Sequence, residues 1–321
     1  SRNIKTLPHH DNLKSFGACF GVSGGYERPM WFALDGEKAE YEYSYNYQSW
    51  YPSAEYETNN TVKNVGLFDL TPFSKFEIKS DKAHQELQKI CTANIKNEPG
   101  KCVYTHMLNS DGGIEADLTV VCVDKNHFRI ISSAATRERD KFHINKHLSK
   151  NVELKDITDD LCVFGLFGPK SRDLLKTLSE DNFENDQFRF GFAKFITIDG
   201  VKIWTQRLSY VGELGYELYV DLKNAKKIYE LLIEKGKDFN LSNCGMHAMD
   251  IMRMESGFLH WGHDISPEEN QYQAGLAFTI SNKKDVDFIG KQALEKIKQD
   301  KVKTRFSMFT LKESEPGKPL L

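Results

Sequence analysis

The feature that most limits the fold is a series of apolar, β-branched runs joined by short polar turns, which is typical of antiparallel hairpins. The clearest hairpin turns at Asp199–Gly200, a dipeptide that tolerates the positive φ angles of a type I′ turn. The predicted strands cover 117–123 paired with 127–131, 195–198 paired with 201–204, and 216–220.

Amphipathic segments with helical period lie between these strands. The predicted helices cover 81–93, 137–149, 171–178, 224–235 and 247–257. Because hairpins are mixed with helices, the sequence predicts an α+β fold with antiparallel sheets rather than a doubly wound parallel sheet. A last strand is predicted at 302–311, and one strand cannot form a sheet alone. We therefore expect a C-terminal domain that is largely absent from this chain.

Composition excludes several classes of partner. Lys and Arg number 43 against 46 Asp and Glu, so the chain lacks the basic field that nucleic acids or anionic membranes require. No apolar run approaches the roughly 20 residues of a membrane-spanning helix, and the N-terminal segment is polar. We expect a cytoplasmic protein, or a mitochondrial-matrix protein if the source is eukaryotic. The six cysteines are scattered singly, which predicts buried, reduced thiols.

The first candidate site residue is Asp117. It follows the glycine-rich bend at Gly112–Gly113 and opens an apolar strand. Two adjacent glycines let a ligand approach the backbone closely, and a carboxylate among apolar residues is a candidate for a perturbed pKa. The alternative is a solvated turn carboxylate.

The second candidate is Glu217, which interrupts an apolar strand after the glycines of the segment 210–217. Facing inward, its carboxylate needs a partner with two donors, because an unpaired buried charge is costly. An arginine or the amino-pyrimidine edge of a pterin would serve. The alternative is an outward-facing residue on an alternating strand. With 21 Phe, 13 Tyr and 4 Trp, the chain is suited to a pocket for a flat heteroaromatic ligand.

Metal and nucleotide sites lack support in the sequence. His143 with His147, and His260 with His263, have no third ligand nearby. The chain has no dinucleotide-binding fingerprint, P-loop or HExxH motif. We therefore predict no metal.

Taken together, the motifs resemble the aminomethyltransferase family, the T-protein of the glycine cleavage system. Within that family the chain is most similar to the tetrahydrofolate-binding C-terminal half of dimethylglycine and sarcosine dehydrogenases. The general family motifs are Gly66-Leu-Phe-Asp69, Gly112-Gly-Ile-x-x-Asp117, Tyr210-x-Gly-Glu-x-Gly-x-Glu217 and Arg253-x-Glu255-x-Gly257. The motifs of the dehydrogenase branch are Gly25-Tyr-Glu-Arg-Pro-Met-Trp-Phe32 and Asp287-Phe-Ile-Gly-Lys-Gln-Ala-Leu294. The resemblance runs from about residue 10 to the end.

The resemblance implies a multi-domain cloverleaf of the folate-binding type. Residues 1–73 and 160–280 would form a discontinuous folate-binding domain, and 74–159 an inserted α+β domain. Residues 281–321 would begin a C-terminal β-barrel domain that is largely absent. The chain would be either a fragment of a larger flavoenzyme or a free-standing homologue.

The resemblance also implies residue roles. Asp117 takes the place of the catalytic aspartate that faces the folate nitrogens, and Glu217 that of the glutamate which contacts the pterin in bidentate fashion. The other implied cofactor-binding residues are Tyr104, Tyr210, Phe73, Ile131, Phe278 and Arg253. Two positions depart from the T-protein pattern: Met249 replaces an arginine, which puts a lipoyl-protein partner in doubt, and Ala116 replaces a second aspartate common in T-proteins.

The implied function is capture of the methylene group of an oxidised N-methyl amine, of the dimethylglycine or sarcosine type, by tetrahydrofolate. The product would be 5,10-methylenetetrahydrofolate, and the implied partner a flavin dehydrogenase domain or subunit. Two alternatives remain open at this stage. One is a folate-dependent demethylase of the dimethylsulfoniopropionate type, and the other a folate-binding module without transfer activity.

Overall fold

The computed structural model describes residues 2–312, which form a mixture of helices and short sheets. The α-helices are α1 (His10–Ser15), α2 (Tyr51–Lys63), α3 (Ala83–Ile90), α4 (Arg137–His147), α5 (Ser171–Leu178), α6 (Leu222–Gly236), α7 (Met246–Glu255) and α8 (Lys291–Asp300). The first strands are β1 (Ala18–Ser23), β2 (Tyr26–Phe32), β3 (Val65–Asp69), β4 (Ser74–Lys79), β5 (Cys102–Leu108), β6 (Ile114–Asp124) and β7 (His127–Ser132). The remaining strands are β8 (Leu154–Asp156), β9 (Leu161–Phe167), β10 (Ala193–Ile198), β11 (Val201–Gln206), β12 (Gly215–Asp221) and β13 (Leu241–Cys244).

The predicted hairpins and the α+β class are confirmed. At the β10–β11 turn, Asp199 has φ 46° and Gly200 has φ 76°, as a type I′ turn requires. The pairing is antiparallel throughout both larger sheets except between β13 and β3, which run parallel. All six cysteines are free and buried, as predicted.

The prediction of a strand at 302–311 is wrong. This segment has no strand partner within the described residues, and Phe306 N donates a single hydrogen bond to Gln273 O. Most of its apolar side chains are exposed, Phe309 by 86 %. Alternating apolar residues indicate a strand only where a neighbouring strand exists to pair with them. Before this segment, 281–300 contains the helix α8 rather than a strand.

The chain forms two compact units. Unit 1 comprises residues 2–72, 160–258 and 309–312 of the described range, and unit 2 comprises Phe73–Asp159 and Leu259–Met308. The resemblance implies that 259–280 belong to the folate-binding domain, whereas this segment lies in unit 2. The division into three domains stays a prediction.

Unit 1 is built on a six-stranded sheet of order β10-β11-β12-β9-β3-β13. One face of the sheet carries apolar residues that pack with helices α5 and α6 in the main hydrophobic core. Because side chains alternate along a strand, the opposite face of β12 carries Glu217 and Tyr219.

Unit 2 is built on an antiparallel five-stranded sheet of order β5-β6-β7-β4-β8. Its core face packs against helices α3 and α4 through buried residues such as Leu118, Val120 and Ile130. The segment 259–308 adds a smaller apolar cluster, in which Ile265 and Leu294 are buried with Ile114. The second face of this sheet carries Asp117.

Within the described range 2–312, no helix is both long enough and apolar enough to span a membrane.

We expect Gly113→Ala to lower the free energy of unfolding by at least about 2 kcal/mol, because backbone must move to relieve overpacking. A Cβ atom at this position would lie 1.9 Å from Pro267 O, which belongs to the same unit. Urea denaturation measures the effect. The control is Gly36→Ala, which meets nothing within 4 Å and carries only the strain of φ +86°. Equal losses in the two variants would contradict the close approach.

Candidate functional site

Asp117 lies on β6, directly across the ladder from His106 on β5. Its side chain is 15 % exposed, and Tyr104 Oη donates to its Oδ2 at 3.2 Å. Burial raises the pKa of the Asp117 carboxyl to about 7, and the nearby Asp140 adds to the rise. Asp117 is therefore a largely buried carboxyl that can hold or release a proton near neutral pH, not a solvated turn residue.

The strand register gathers further predicted residues on the same face of the unit 2 sheet. Tyr104 pairs with Thr119, and Thr119 pairs with Ile131 on the next strand. Cross-strand partners project to the same face. Phe278 is 76 % exposed, with its ring centroid 6.5 Å from that of Tyr104. Tyr104, Asp117, Ile131 and Phe278 are thus brought to one face of one unit.

Phe73 is half-buried at the start of the same unit, and its carbonyl oxygen accepts from Lys75 Nζ at 2.8 Å. Lys75 is itself fully buried and pairs with Ile131. Lys75 was not predicted as a site residue, because the alternating segment 74–79 is typical of a strand with polar residues in solvent. Only burial of the second face makes this lysine a component of the site.

His106 is a second residue of this face that was not predicted from the sequence. It is fully buried, and burial lowers its pKa to about 3, so the imidazole is neutral. Its Nδ1 lies 3.1 Å from both Thr279 Oγ1 and Gln271 Nε2. The available sequence signal was its place two residues after Tyr104, which puts both on one face of β5.

Glu217 lies on β12 of unit 1, opposite Gly165 on one side and Gln206 on the other. Tyr219 Oη donates to Glu217 Oε2 at 2.9 Å. Burial raises the pKa of the Glu217 carboxyl to about 7. The amide of the fully buried Gln206 has no hydrogen-bond partner in the described part of the chain, at either its oxygen or its nitrogen. Glu217 therefore lies in a polar, partly desolvated setting that has capacity for more hydrogen bonds.

Tyr210 and Arg253 lie elsewhere in unit 1. The ring of Tyr210 stacks on Phe258 with centroids 6.0 Å apart. Arg253 is buried at the end of α7, where its Nε donates to Asp250 Oδ1 at 2.7 Å and its Nη1 to Phe258 O at 3.2 Å. Phe258 thus links the two predicted residues. The second of these contacts joins Arg253 to the chain that follows α7.

In the part of the chain that the structure describes, no group of three or more His, Cys, Asp or Glu side chains is placed to bind one metal ion.

Comparison with known proteins gives one family and consistent relatives. The family model for the GCVT N-terminal domain matches residues 9–284. The chain is 36 % identical to 4-methylaminobutanoate oxidase (formaldehyde-forming) of Paenarthrobacter nicotinovorans, over 98 % of this chain and 38 % of that protein. It is 33 % identical to mitochondrial dimethylglycine dehydrogenase of Rattus norvegicus, over 91 % of this chain and 34 % of that protein. The chain thus spans little more than a third of the length of these relatives.

A solved structure has the same fold. The glycine cleavage system aminomethyltransferase T from Bartonella henselae superposes with a TM-score of 0.77 at 21 % identity, covering 93 % of this chain and 76 % of that one.

We expect the effect of Asp117→Asn on the free energy of unfolding to be more stabilising at pH 8 than at pH 5, by on the order of 2 kcal/mol. The pKa of this carboxyl is raised from its unfolded value in the folded chain, so folding takes up a proton between the two values. Stability therefore falls as the pH rises toward 7, and the asparagine variant lacks this loss. Chemical denaturation at both pH values measures the difference.

The control is Asp111→Asn, at an exposed position just before the same strand. An Asp117→Asn effect that is the same at pH 5 and pH 8 would contradict the raised pKa.

Proposed function

The chain belongs to the GCVT aminomethyltransferase family, as the motif resemblance predicted, and we propose that it binds tetrahydrofolate and promotes capture of a one-carbon unit by it. In this proposal Glu217 binds the pterin and Asp117 manages the proton of the reacting nitrogen. The remaining predicted contacts, Tyr104, Tyr210, Phe73, Ile131, Phe278 and Arg253, are proposed to line or support the folate site.

The observation that carries the proposal is the setting of the two carboxyls. Glu217 and Asp117 are both desolvated, and the pKa of each is raised to about 7. Each receives a tyrosine hydroxyl as a donor. Hydrogen-bond donors can outweigh the effect of burial, as Ser149 and Lys89 do where they lower the pKa of Glu86. Carboxyls left short of donors are typical of groups that bind or react.

The chemistry of Glu217 fits a pterin. A pterin offers its 2-amino group and ring N3–H side by side, and a carboxylate accepts such a pair in bidentate fashion. Binding would supply the donors that Glu217 lacks and would shift its pKa downward. The neighbouring Gln206 amide makes this part of the sheet polar but does not hydrogen-bond to Glu217, so the carboxylate can still accept from a ligand.

The chemistry of Asp117 fits a proton carrier. Folate supplies the nucleophilic nitrogen, and an iminium of an oxidised N-methyl amine supplies the CH2 group. In the overall transfer the carbon–nitrogen double bond of the iminium would be replaced by two bonds from the same carbon to folate nitrogens, and the two protons lost by folate would leave with the departing amine. An ionised Asp117 can accept a proton at its carboxylate oxygen and return it to that amine. A pKa near neutrality suits both steps.

The names of two relatives support a class of one-carbon donor. One is named for 4-methylaminobutanoate and formaldehyde, the other for dimethylglycine. All three names describe N-methyl amines or their released one-carbon unit. We propose an N-methyl amine of this kind as the source of the methylene group, with 5,10-methylenetetrahydrofolate as product. A flavin dehydrogenase domain or subunit is the proposed partner that oxidises the amine.

We expect Glu217→Gln to weaken tetrahydrofolate binding about 10- to 100-fold, because a charge-assisted bidentate contact becomes a neutral one. Calorimetric titration of the whole chain measures the affinity. Glu234→Gln is the control, since its side chain is 67 % exposed in the same unit. Unchanged affinity in Glu217→Gln would remove Glu217 from the binding site.

We expect Asp117→Asn to lower the rate of methylenetetrahydrofolate formation about 100-fold or more, with folate affinity changed only slightly. The assay uses formaldehyde with a secondary amine as the source of the iminium, corrected for the uncatalysed reaction. Since the ionised carboxylate accepts the proton, the wild-type rate should rise with pH through about 7. The variant should lack this rise, and equal rates in variant and wild type would exclude Asp117 as the proton carrier.

A further inference from the structure

We infer that His106 is a positioning residue for Asp117, which acts by offering the Tyr104 hydroxyl a second acceptor and so stabilises the protonated carboxyl. The inference rests on the proposed function only in its use of Asp117 as a proton carrier. The contacts that carry it lie within unit 2.

The Tyr104 hydroxyl is shared between two groups. Its oxygen lies 3.2 Å from Asp117 Oδ2 and 3.3 Å from His106 Nε2. A phenol has one proton to donate, so it cannot donate to both atoms together. His106 Nε2 is 4.0 Å from Asp117 Oδ1, which is too long for a direct hydrogen bond. Any effect of His106 on Asp117 through hydrogen bonding therefore passes through Tyr104.

The tautomer of His106 follows from the partners of its other nitrogen. The Thr279 hydroxyl donates its only proton to Leu276 O at 2.7 Å. It can therefore only accept a hydrogen bond from His106. Gln271 Nε2 has two protons, and it lies 2.5 Å from Thr279 Oγ1 and 3.0 Å from Thr92 Oγ1. The third contact of this amide nitrogen, to His106 Nδ1 at 3.1 Å, is its longest. With both amide protons on the two threonine oxygens, His106 Nδ1 carries the imidazole proton and donates to Thr279.

This tautomer leaves a lone pair on Nε2, facing Tyr104. When Asp117 is ionised, Tyr104 donates to the carboxylate. When Asp117 takes up a proton, the demand of the carboxyl for a donor falls, and Tyr104 can turn to His106 Nε2. The same lone pair lies close to the ionised carboxylate and disfavours it. Both effects favour the protonated form of Asp117.

Tyr104 and His106 on β5 lie beside the Asp117 carboxyl, and Asp140 on α4 acts on it by charge, with its own pKa raised to about 6 by burial. Lys75 on β4 lies on the same face of the sheet, where its Nζ donates to Phe73 O. Asp140 acts by charge and also titrates near neutrality. A test must therefore separate the titration of Asp117 from that of Asp140, and the substitution Asp140→Asn does so by removing the second carboxyl.

The test is an NMR titration of the Asp117 side-chain carboxyl carbon in the whole chain, assigned with Asp117→Asn and repeated in an Asp140→Asn background. We expect His106→Leu to lower the pKa of Asp117 by about 0.5–1 unit, the equivalent of one hydrogen bond. His106→Gln, which can place an amide oxygen near the Nε2 position, should restore most of the wild-type value. His84→Leu, in the same unit, is the matched control and should leave the titration unchanged.

The tautomer gives an independent readout. The nitrogen shifts of His106 should report a protonated Nδ1 and an unprotonated Nε2. Thr279→Val removes the acceptor of Nδ1–H and should move the proton to Nε2, which again lowers the pKa of Asp117. If His106→Leu fails to fold, Thr279→Val decides the question alone.

An Asp117 titration that is the same in wild type, His106→Leu and Thr279→Val would overturn the inference. So would an Nε2–H tautomer in the wild type. These measurements need neither folate nor donor, so their failure is distinct from failure of the proposed function. If the chain also transfers one-carbon units, the rise of rate with pH should move in His106→Leu by the same interval as the Asp117 pKa.

Discussion

The constraint on which the site depends is the antiparallel register of strands that have one face in a hydrophobic core. In unit 2 the core takes Leu118 and Val120 from β6, and the period of two then sends Asp117 to the other face. In unit 1 the core takes Leu218 and Val220 from β12, so Glu217 projects from the opposite face. A slip of one residue in either strand would place a carboxylate in the core.

The second face of each sheet is polar yet largely desolvated, and this combination sets the chemistry. Lys75 and His106 are fully buried there, as is Gln206 in the other unit. Burying such groups costs free energy unless they find hydrogen bonds. His106 finds them in Gln271 and Thr279. Asp117 and Glu217 receive fewer donors than burial demands, which keeps their pKa values near neutrality and leaves capacity for a ligand.

Local sequence rules located the β6–β7 and β10–β11 hairpins, β12 and the helices α3 to α7, but none of the other strands and helices. The Asp199–Gly200 turn was predictable because few residues besides Gly, Asn and Asp adopt positive φ, and the amphipathic helices from their period. The same rules failed at 302–311, because a strand requires a partner. They also gave no warning of Lys75, since an alternating strand looks identical whether its polar face meets water or protein. The roles proposed for Asp117 and Glu217 came from family motifs and not from local spacing.

The sequence by itself determined the α+β class, the hairpins, the buried thiols and the family, because each follows from local spacing or from ordered motifs. Only the tertiary structure decided that His106 lies opposite Asp117, that Thr279 and Gln271 orient its imidazole, and that both carboxyls are desolvated. Residues 106 and 279 are far apart in the chain, and the pKa of a carboxyl depends on everything packed around it. Such properties arise from long-range packing, which no local pattern encodes.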